Sequence, residues 1–147
     1  MRFLIALTIL LLPSFGLAQE GGKSSPSTER IITAEEFEAF SSGTTVYFNR
    51  GGRPYGAEEY FKDRRVIWTF LDGTCERGAW YSEGDQICFI YETAIEAQCW
   101  HFIEAGGNKR ARVVGDPPEN DLYVVGQNDQ PLHCPGPGVG VSYTPTN

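Results

Sequence analysis

Short segments rich in β-branched and aromatic residues alternate with tight turns along most of this 147-residue chain. They recur about every 8–12 residues, which is typical of all-β folds. Because short connections join each segment to the next, successive strands are expected to pair as an antiparallel meander, and such a sheet curls into a small barrel or a sandwich. The fold class predicted is therefore all-β. The eight predicted strands are 44–49, 55–61, 64–71, 75–81, 86–91, 96–104, 109–114 and 122–127.

One short N-terminal helix is predicted ahead of these strands. Thr33 has the position of an N-cap, and Glu36, three residues later, completes a capping box. Ala34, Phe37 and Phe40 follow with the spacing of one apolar helix face. No other segment of the chain predicts a helix.

Asp72-Gly73 lies between the predicted strands 64–71 and 75–81. This dipeptide favours a two-residue hairpin turn of type I′, because both central residues of such a turn need positive φ. The sequence therefore predicts that these two strands form a tight hairpin.

The first eighteen residues have the layout of a secretory signal peptide. Arg2 precedes an apolar run, and Gly16 and Ala18 provide the small residues of a cleavage site. A membrane anchor is the alternative, but about 20 apolar residues are needed to span a bilayer. We expect cleavage after Ala18 and a periplasmic or secreted protein.

The remainder of the chain divides by composition. Residues 19–30 contain no apolar side chain and read as a flexible linker. Residues 31–130 form the predicted β-rich domain, and 131–147 a tail rich in proline and glycine that Cys134 ties to the body.

The balance of charge limits the classes of partner. The chain has 19 acidic and 12 basic residues, a net charge of -7, which becomes -8 when Arg2 leaves with the signal peptide. An acidic protein is repelled by nucleic acid and by anionic membrane surfaces. We therefore expect neither as a partner.

All four cysteines follow the predicted cleavage site, at positions 75, 88, 99 and 134. In a small exported protein they indicate two disulfides, for which three connectivities exist. A zinc site is the alternative, but there is no Cys-x-x-Cys pair, and only His101 and His133 could complete the ligand set.

Hairpin register favours one of these pairings. Cys88 and Cys99 lie at equal distances in sequence from a turn centred between Thr93 and Ala94. Opposed residues of an antiparallel pair have Cβ atoms about 4.5–5.5 Å apart, close to disulfide reach. A bulge would disrupt this register. Cys75–Cys134 follows by elimination.

Several motifs in the centre of the chain resemble those of known proteins. Trp68 to Trp80 contains Asp72-Gly73 and Gly78-Ala79-Trp80, and a strand around Cys88 and a second cysteine, Cys99, follow. This pattern resembles an uncharacterised family of small exported proteobacterial proteins, a domain of unknown function, over residues 31 to about 140. The resemblance implies export, a β-rich fold and a Cys88–Cys99 bridge, and no reaction. Gly78-Ala79-Trp80 is also similar to the Gly-x-Trp signature of lipocalin-like barrels, without its Thr-Asp-Tyr-type companion.

Candidate catalytic groups are few. His101 or His133 would have to act as the base of a Ser-His-Asp or Cys-His site, and there is no Gly-x-Ser-x-Gly elbow. Glu58 and Glu59 alternate in direction on a strand, so they cannot act as a pair, and we expect them on a solvated face. Asp116, Glu119 and Asp121 do not have the spacing of an EF-hand. We predict no catalytic residue, metal or cofactor.

A binding role fits the sequence better. Arg50 and Arg53 bracket Gly51-Gly52 and form a local basic spot which, with Tyr55, is the candidate contact site. We expect a non-catalytic binding or inhibitor-like module that acts on an envelope protein. The alternative is a lipocalin-like barrel that holds a small apolar ligand, and an enzyme ranks third.

Overall fold

The computed structural model describes residues 28–134, and within them the chain forms an antiparallel β-barrel with one α-helix. The signal peptide predicted over 1–18 and most of the predicted linker and tail lie outside the described residues. The helix is α1 (Ala34–Ser41), and the strands are β1 (Arg30–Ile31), β2 (Thr45–Arg50), β3 (Arg53–Tyr60), β4 (Arg65–Thr69), β5 (Glu76–Glu83), β6 (Gln86–Tyr91), β7 (Gln98–Ala105), β8 (Asn108–Val113) and β9 (Leu122–Asn128).

Strands β2 to β9 run up and down in chain order, and each pairs with the next. The pairing of β9 with β2, for example of Gln127 with Val46, closes the sheet on itself. Closure removes the free edges that an open sheet would expose. The predicted all-β class with one short helix is confirmed, and its form is a barrel.

The two-residue strand β1 completes one seam of the barrel. Strand β6 pairs with β7 only as far as Trp100, while Arg30 and Ile31 of β1 lie opposite Glu104 and Ile103 further along β7. Arg30, the last residue of the predicted linker, thus has its backbone in the sheet, since pairing with an available edge does not require an apolar side chain.

Helix α1 closes one end of the barrel. The predicted capping box is present, with the Glu36 amide donating to Thr33 Oγ1 and the Thr33 amide donating to the Glu36 carboxylate. Phe37 is fully buried and inserts among core rings, with its centroid 4.4 Å from that of Phe102 and 5.0 Å from that of Trp80. The helix therefore supplies the apolar floor of the barrel.

The predicted type I′ turn at Asp72-Gly73 is wrong. Strand β4 ends at Thr69 and β5 begins at Glu76, so the connection is longer than two residues. Positive φ occurs at Leu71 and Gly73, and an Asp72 side-chain oxygen accepts from the Thr74 amide and hydroxyl. This side-chain turn competes with a tight hairpin because aspartate can hydrogen-bond the backbone two residues ahead.

Both disulfides join the pairs that the sequence favours. Cys88 and Cys99 face each other across β6 and β7 and are bonded, while Cys75 is bonded to Cys134. The latter bond holds the described start of the tail, where the Leu132 amide also donates to Glu59 at 2.9 Å.

Candidate functional site

The barrel encloses a cavity of about 290 Å³. Its wall combines aromatic rings with a few polar side chains, the composition typical of small-molecule sites. Strands β2 to β9 all contribute to it. The aromatic members of the wall are Phe48, Tyr55, Tyr60, Trp68, Phe70, Phe89, Tyr91, Trp100 and Phe102, and the charged members are Arg50, Glu58, Glu76 and Asp116.

The cavity opens at the end of the barrel opposite α1. Phe37 closes the helix end, whereas the wall residue Phe70 at the other end keeps 50% of its surface exposed. Neighbouring loops at this open end carry more exposed apolar side chains, Leu71 at 50% and Ile95 at 98%. A small molecule could therefore enter from solvent without displacing the helix.

Glu58 is the most unusual group in the wall. Only 3% of the residue is exposed, and it projects from β3 into the barrel. Tyr60, two residues along the same strand, donates its hydroxyl to Glu58 Oε2 at 2.7 Å, and Tyr91 of β6 donates to Oε1 at 2.7 Å. Since β4 and β5 lie between β3 and β6, the Tyr91 hydrogen bond spans the inside of the barrel.

Burial dominates the electrostatics of this group. Removal from water raises the pKa of Glu58 to about 7, and the two tyrosine hydrogen bonds oppose this shift without reversing it. Burial and the neighbouring carboxylate also raise the pKa of Tyr60 and of Tyr91, so both stay protonated as donors. Glu58 therefore changes charge near neutral pH.

The expectation that Glu58 and Glu59 both lie on a solvated face is wrong for Glu58. Alternation does send the two side chains to opposite faces, and Glu59 is on the outer wall. The missed signal was parity: Glu58 has the same parity as Tyr60, a core aromatic residue. Two tyrosine donors make burial of the carboxyl group tolerable.

Two glycines give the cavity its shape. A Cβ on Gly56 would overlap the ring of Trp68 and lie 2.8 Å from the Thr69 carbonyl oxygen. A Cβ on Gly78 would lie 2.5 Å from the Ile90 carbonyl oxygen and 2.8 Å from the Tyr91 ring. Glycine at both positions therefore allows wall rings to lie flat against the strands.

The predicted contact residues lie at the open end of the barrel. Arg50 and Tyr55 line the cavity, and the Arg50 guanidinium carbon stands 4.4 Å from the centroid of the Tyr55 ring. The Arg50 Nε is buried and has no hydrogen-bond partner within residues 28–134. Arg53 is exposed opposite Arg50 at the β2–β3 turn, so only two of the three predicted residues contribute to the wall.

The other candidate groups are dispersed. His101 lies on β7 with its Nε2 3.4 Å from Asp85, while His133 is exposed in the tail. Asp121 is buried between Arg110 and Arg112, which donate to it at 2.6–2.7 Å and occupy its oxygens. Such a buried, fully paired carboxylate is structural.

One cluster has the spacing of metal ligands, but two of its members are already bonded. Glu83 lies beside Cys88 and Cys99, whose sulfur atoms form a disulfide. Thiolate is the form of cysteine that ligates a metal. The cluster is therefore a disulfide with an adjacent carboxylate.

Comparison of the chain with family models, with curated proteins and with solved structures finds no match. No helix within residues 28–134 is both long and apolar enough to cross a membrane.

Proposed function

We propose that this protein is a small-ligand-binding barrel of the lipocalin-like type that acts by binding, without catalysis, after export to the periplasm or the cell exterior. The observation that carries this proposal is the cavity of about 290 Å³, open at one end and closed by α1 at the other. A binding module that worked only through its outer surface would need no such space, and interiors usually fill to crystal-like density.

The size of the cavity limits the size of the ligand. Its volume of about 290 Å³ is at the lower end of the range for small-molecule sites, about 300–1,000 Å³. The ligand is therefore a small compound with a flat apolar body that fits between rings such as Trp68 and Trp100.

Export is supported by the disulfides. Cys75–Cys134 and Cys88–Cys99 would be reduced in most cytosolic compartments, whereas they persist in the periplasm or outside the cell. The sequence layout of residues 1–18 and the resemblance to small exported proteobacterial proteins agree with this location.

Calorimetric titration tests the binding function. The probes are aromatic compounds of about ten non-hydrogen atoms, in neutral, cationic and anionic forms. We expect saturable binding of at least one probe at one site per barrel, and loss of that binding in Ala111→Phe, which fills the cavity from β8. Ala79→Phe, the same change on the outer wall of β5, is the matched control and should bind as the native protein does. Absence of saturable binding by every probe would contradict the proposal.

A second function is favoured by the exposed apolar side chains around the opening. Phe70, Leu71, Ile95 and Val114 stand on three loops at this end of the barrel. Exposed apolar groups clustered on one surface are typical of protein contacts. A binding or inhibitor-like role toward an envelope protein would use this rim.

The rim hypothesis has its own test. Cross-linking in periplasmic extract should give a complex with one envelope protein, and Leu71→Asp with Ile95→Asp should abolish it. Val125→Asp changes a residue on the outer wall of β9 that is exposed to a similar degree as Leu71, and it should leave the complex intact. Equal loss in both variants would contradict a rim-specific interface.

A further inference from the structure

The interior of the barrel has the chemistry of a cation site, an inference that rests on the proposed ligand-binding function. Nine aromatic side chains contribute to the cavity wall. The face of an aromatic ring is electronegative, so an organic cation enclosed by several faces is attracted to each of them. A neutral apolar ligand would gain burial from the same wall but none of this electrostatic attraction.

Glu58 provides a carboxyl group inside this aromatic wall. Its two oxygens each accept one tyrosine hydroxyl, and within residues 28–134 it forms no ion pair. The carboxylate of Asp121, by contrast, is equally buried but paired with two arginines. A buried carboxylate without a cation is costly, and a ligand ammonium would supply the missing charge.

The charge of the cavity wall points in the same direction. Three wall residues are acidic, Glu58, Glu76 and Asp116, and one is basic, Arg50. Arg50 lies over the ring of Tyr55 at the end of β2 that reaches the opening. Glu76, at the start of β5, and Asp116, in the loop after β8, lie at the same end, so the charged wall residue farther inside is Glu58. An anionic ligand would meet one cation at the opening and a carboxylate inside.

We propose that the natural ligand is a small organic cation, a protonated amine with an aromatic or compact apolar body, whose ammonium group binds Glu58 while its body packs against Trp68, Phe89 and Trp100. The ammonium donates to the carboxylate, and the hydroxyls of Tyr60 and Tyr91 hold both oxygens in place.

Matched probes separate this proposal from binding in general. 2-Phenylethylamine, 2-phenylethanol and phenylacetate share one aromatic body and differ in the charge of the terminal group. At pH 8 we expect the amine to bind at least tenfold more tightly than the alcohol, and phenylacetate to bind most weakly. Equal binding of amine and alcohol would overturn the cation proposal and leave the ligand-binding barrel standing. Preferential binding of phenylacetate would overturn it in favour of Arg50, and no binding by any probe would contradict both proposals.

The pH dependence of amine binding gives a second measurement. Because Glu58 must be ionised to pair with an ammonium group, amine affinity should rise roughly tenfold between pH 6 and pH 8, while alcohol affinity should stay nearly constant. An amine affinity independent of pH in this range would count against Glu58 as the partner. The charged and titratable groups facing the cavity besides Glu58 are Arg50, Tyr55, Tyr60, Glu76, Tyr91 and Asp116.

Glu58→Gln is the decisive variant. The amide keeps the size of the side chain and can still hydrogen-bond both tyrosines, so amine binding should fall to the level of the alcohol while alcohol binding is retained. Glu59→Gln, one residue away on the outer wall, should leave the preference for the amine unchanged. If Glu58→Gln does not fold, the pH dependence in the native protein decides the question. Retained amine preference in a folded Glu58→Gln protein would overturn the proposal.

Discussion

At the scale of single residues, the cavity depends on positions where a side chain is either absent or unexpectedly charged. Gly56 gives space to the Trp68 ring, and Glu58, two residues along β3, places a carboxyl group inside the barrel. Both face inward because alternate residues of a strand share one face. One strand thus contributes both to the shape and to the charge of the site.

Gly56→Ala is expected to destabilise the protein by about 1–3 kcal/mol, the range typical of overpacked cores. The added methyl group meets the Trp68 ring and the Thr69 backbone, and the backbone cannot move away easily. Gly126→Ala is the control, because its methyl group would have ordinary contacts 3.7 Å from Tyr47. Urea denaturation measures the free energy of unfolding of both variants, and equal losses of stability would contradict the role assigned to Gly56.

Glu58 is expected to make stability depend on pH. Its pKa rises from 4.5 to about 7 on folding, so the folded state holds the proton more tightly and the resulting stabilisation is complete below pH 4.5. This stabilisation is lost as the pH rises through 7. The loss is about 3 kcal/mol, because each pH unit between the two pKa values corresponds to about 1.4 kcal/mol.

Glu58→Gln removes this titration. Relative to the native protein, the variant should gain about 3 kcal/mol of stability between pH 4.5 and pH 8, measured by urea denaturation at a series of pH values. Glu59→Gln should show no such gain. A constant difference between native and Glu58→Gln proteins across this range would show that Glu58 does not titrate as described.

At the scale of elements, α1 and the strand order divide the barrel into a closed and an open end. The helix is short, but Phe37 inserts among the rings of four core residues. Burial of one fully enclosed aromatic ring therefore fixes the helix, since isolated helices of this length are marginal.

Phe37→Ala is expected to cost about 3–5 kcal/mol, as for other buried phenylalanines, because it leaves a void at the floor of the barrel. Phe40→Ala on the same helix changes a partly exposed ring that packs near Lys109, and it should cost much less. Thermal or urea unfolding measures the free energy of unfolding of both variants. Similar losses of stability would contradict the role of Phe37 in closing this end of the barrel.

Local patterns made most elements predictable. The capping box at Thr33, the strand segments and the Cys88–Cys99 register each depend on residues close in sequence. The β4–β5 connection was predicted wrongly because the Asp72 side chain forms its own turn with Thr74. Barrel closure depends on β2 meeting β9 across the length of the domain, which local patterns do not specify.

The candidate site was less predictable than the fold. The local basic spot around Gly51-Gly52 predicts Arg50 and Tyr55 as contact residues, and both line the cavity, whereas the sequence predicts a solvent-exposed Glu58. Glu58 accepts a hydrogen bond from Tyr91 across the barrel, and this contact can be recognised only once β3 and β6 are placed in the sheet. The two residues are far apart in sequence, so local patterns do not indicate it.

At the scale of the whole molecule, the barrel is a container closed at one end, stapled by two disulfides and lined by rings around one carboxyl group. The three tryptophans lie in different parts of the barrel, so their signals can distinguish the cavity from the closed end. Trp68 and Trp100 line the cavity, whereas Trp80 packs against Phe37 near the closed end and lies 4.5 Å below the Arg64 guanidinium.

Occupation of the cavity by a small ligand is tested most directly by the indole N–H signals in a ¹H–¹⁵N NMR spectrum during titration with 2-phenylethylamine, 2-phenylethanol and phenylacetate in turn at pH 8. We expect at least one of these compounds to give saturable shifts of the Trp68 and Trp100 signals with little change at Trp80. Saturable shifts confined to Trp80 or to residues of the outer wall, or no saturable shift with any of the three, would contradict the ligand-binding function.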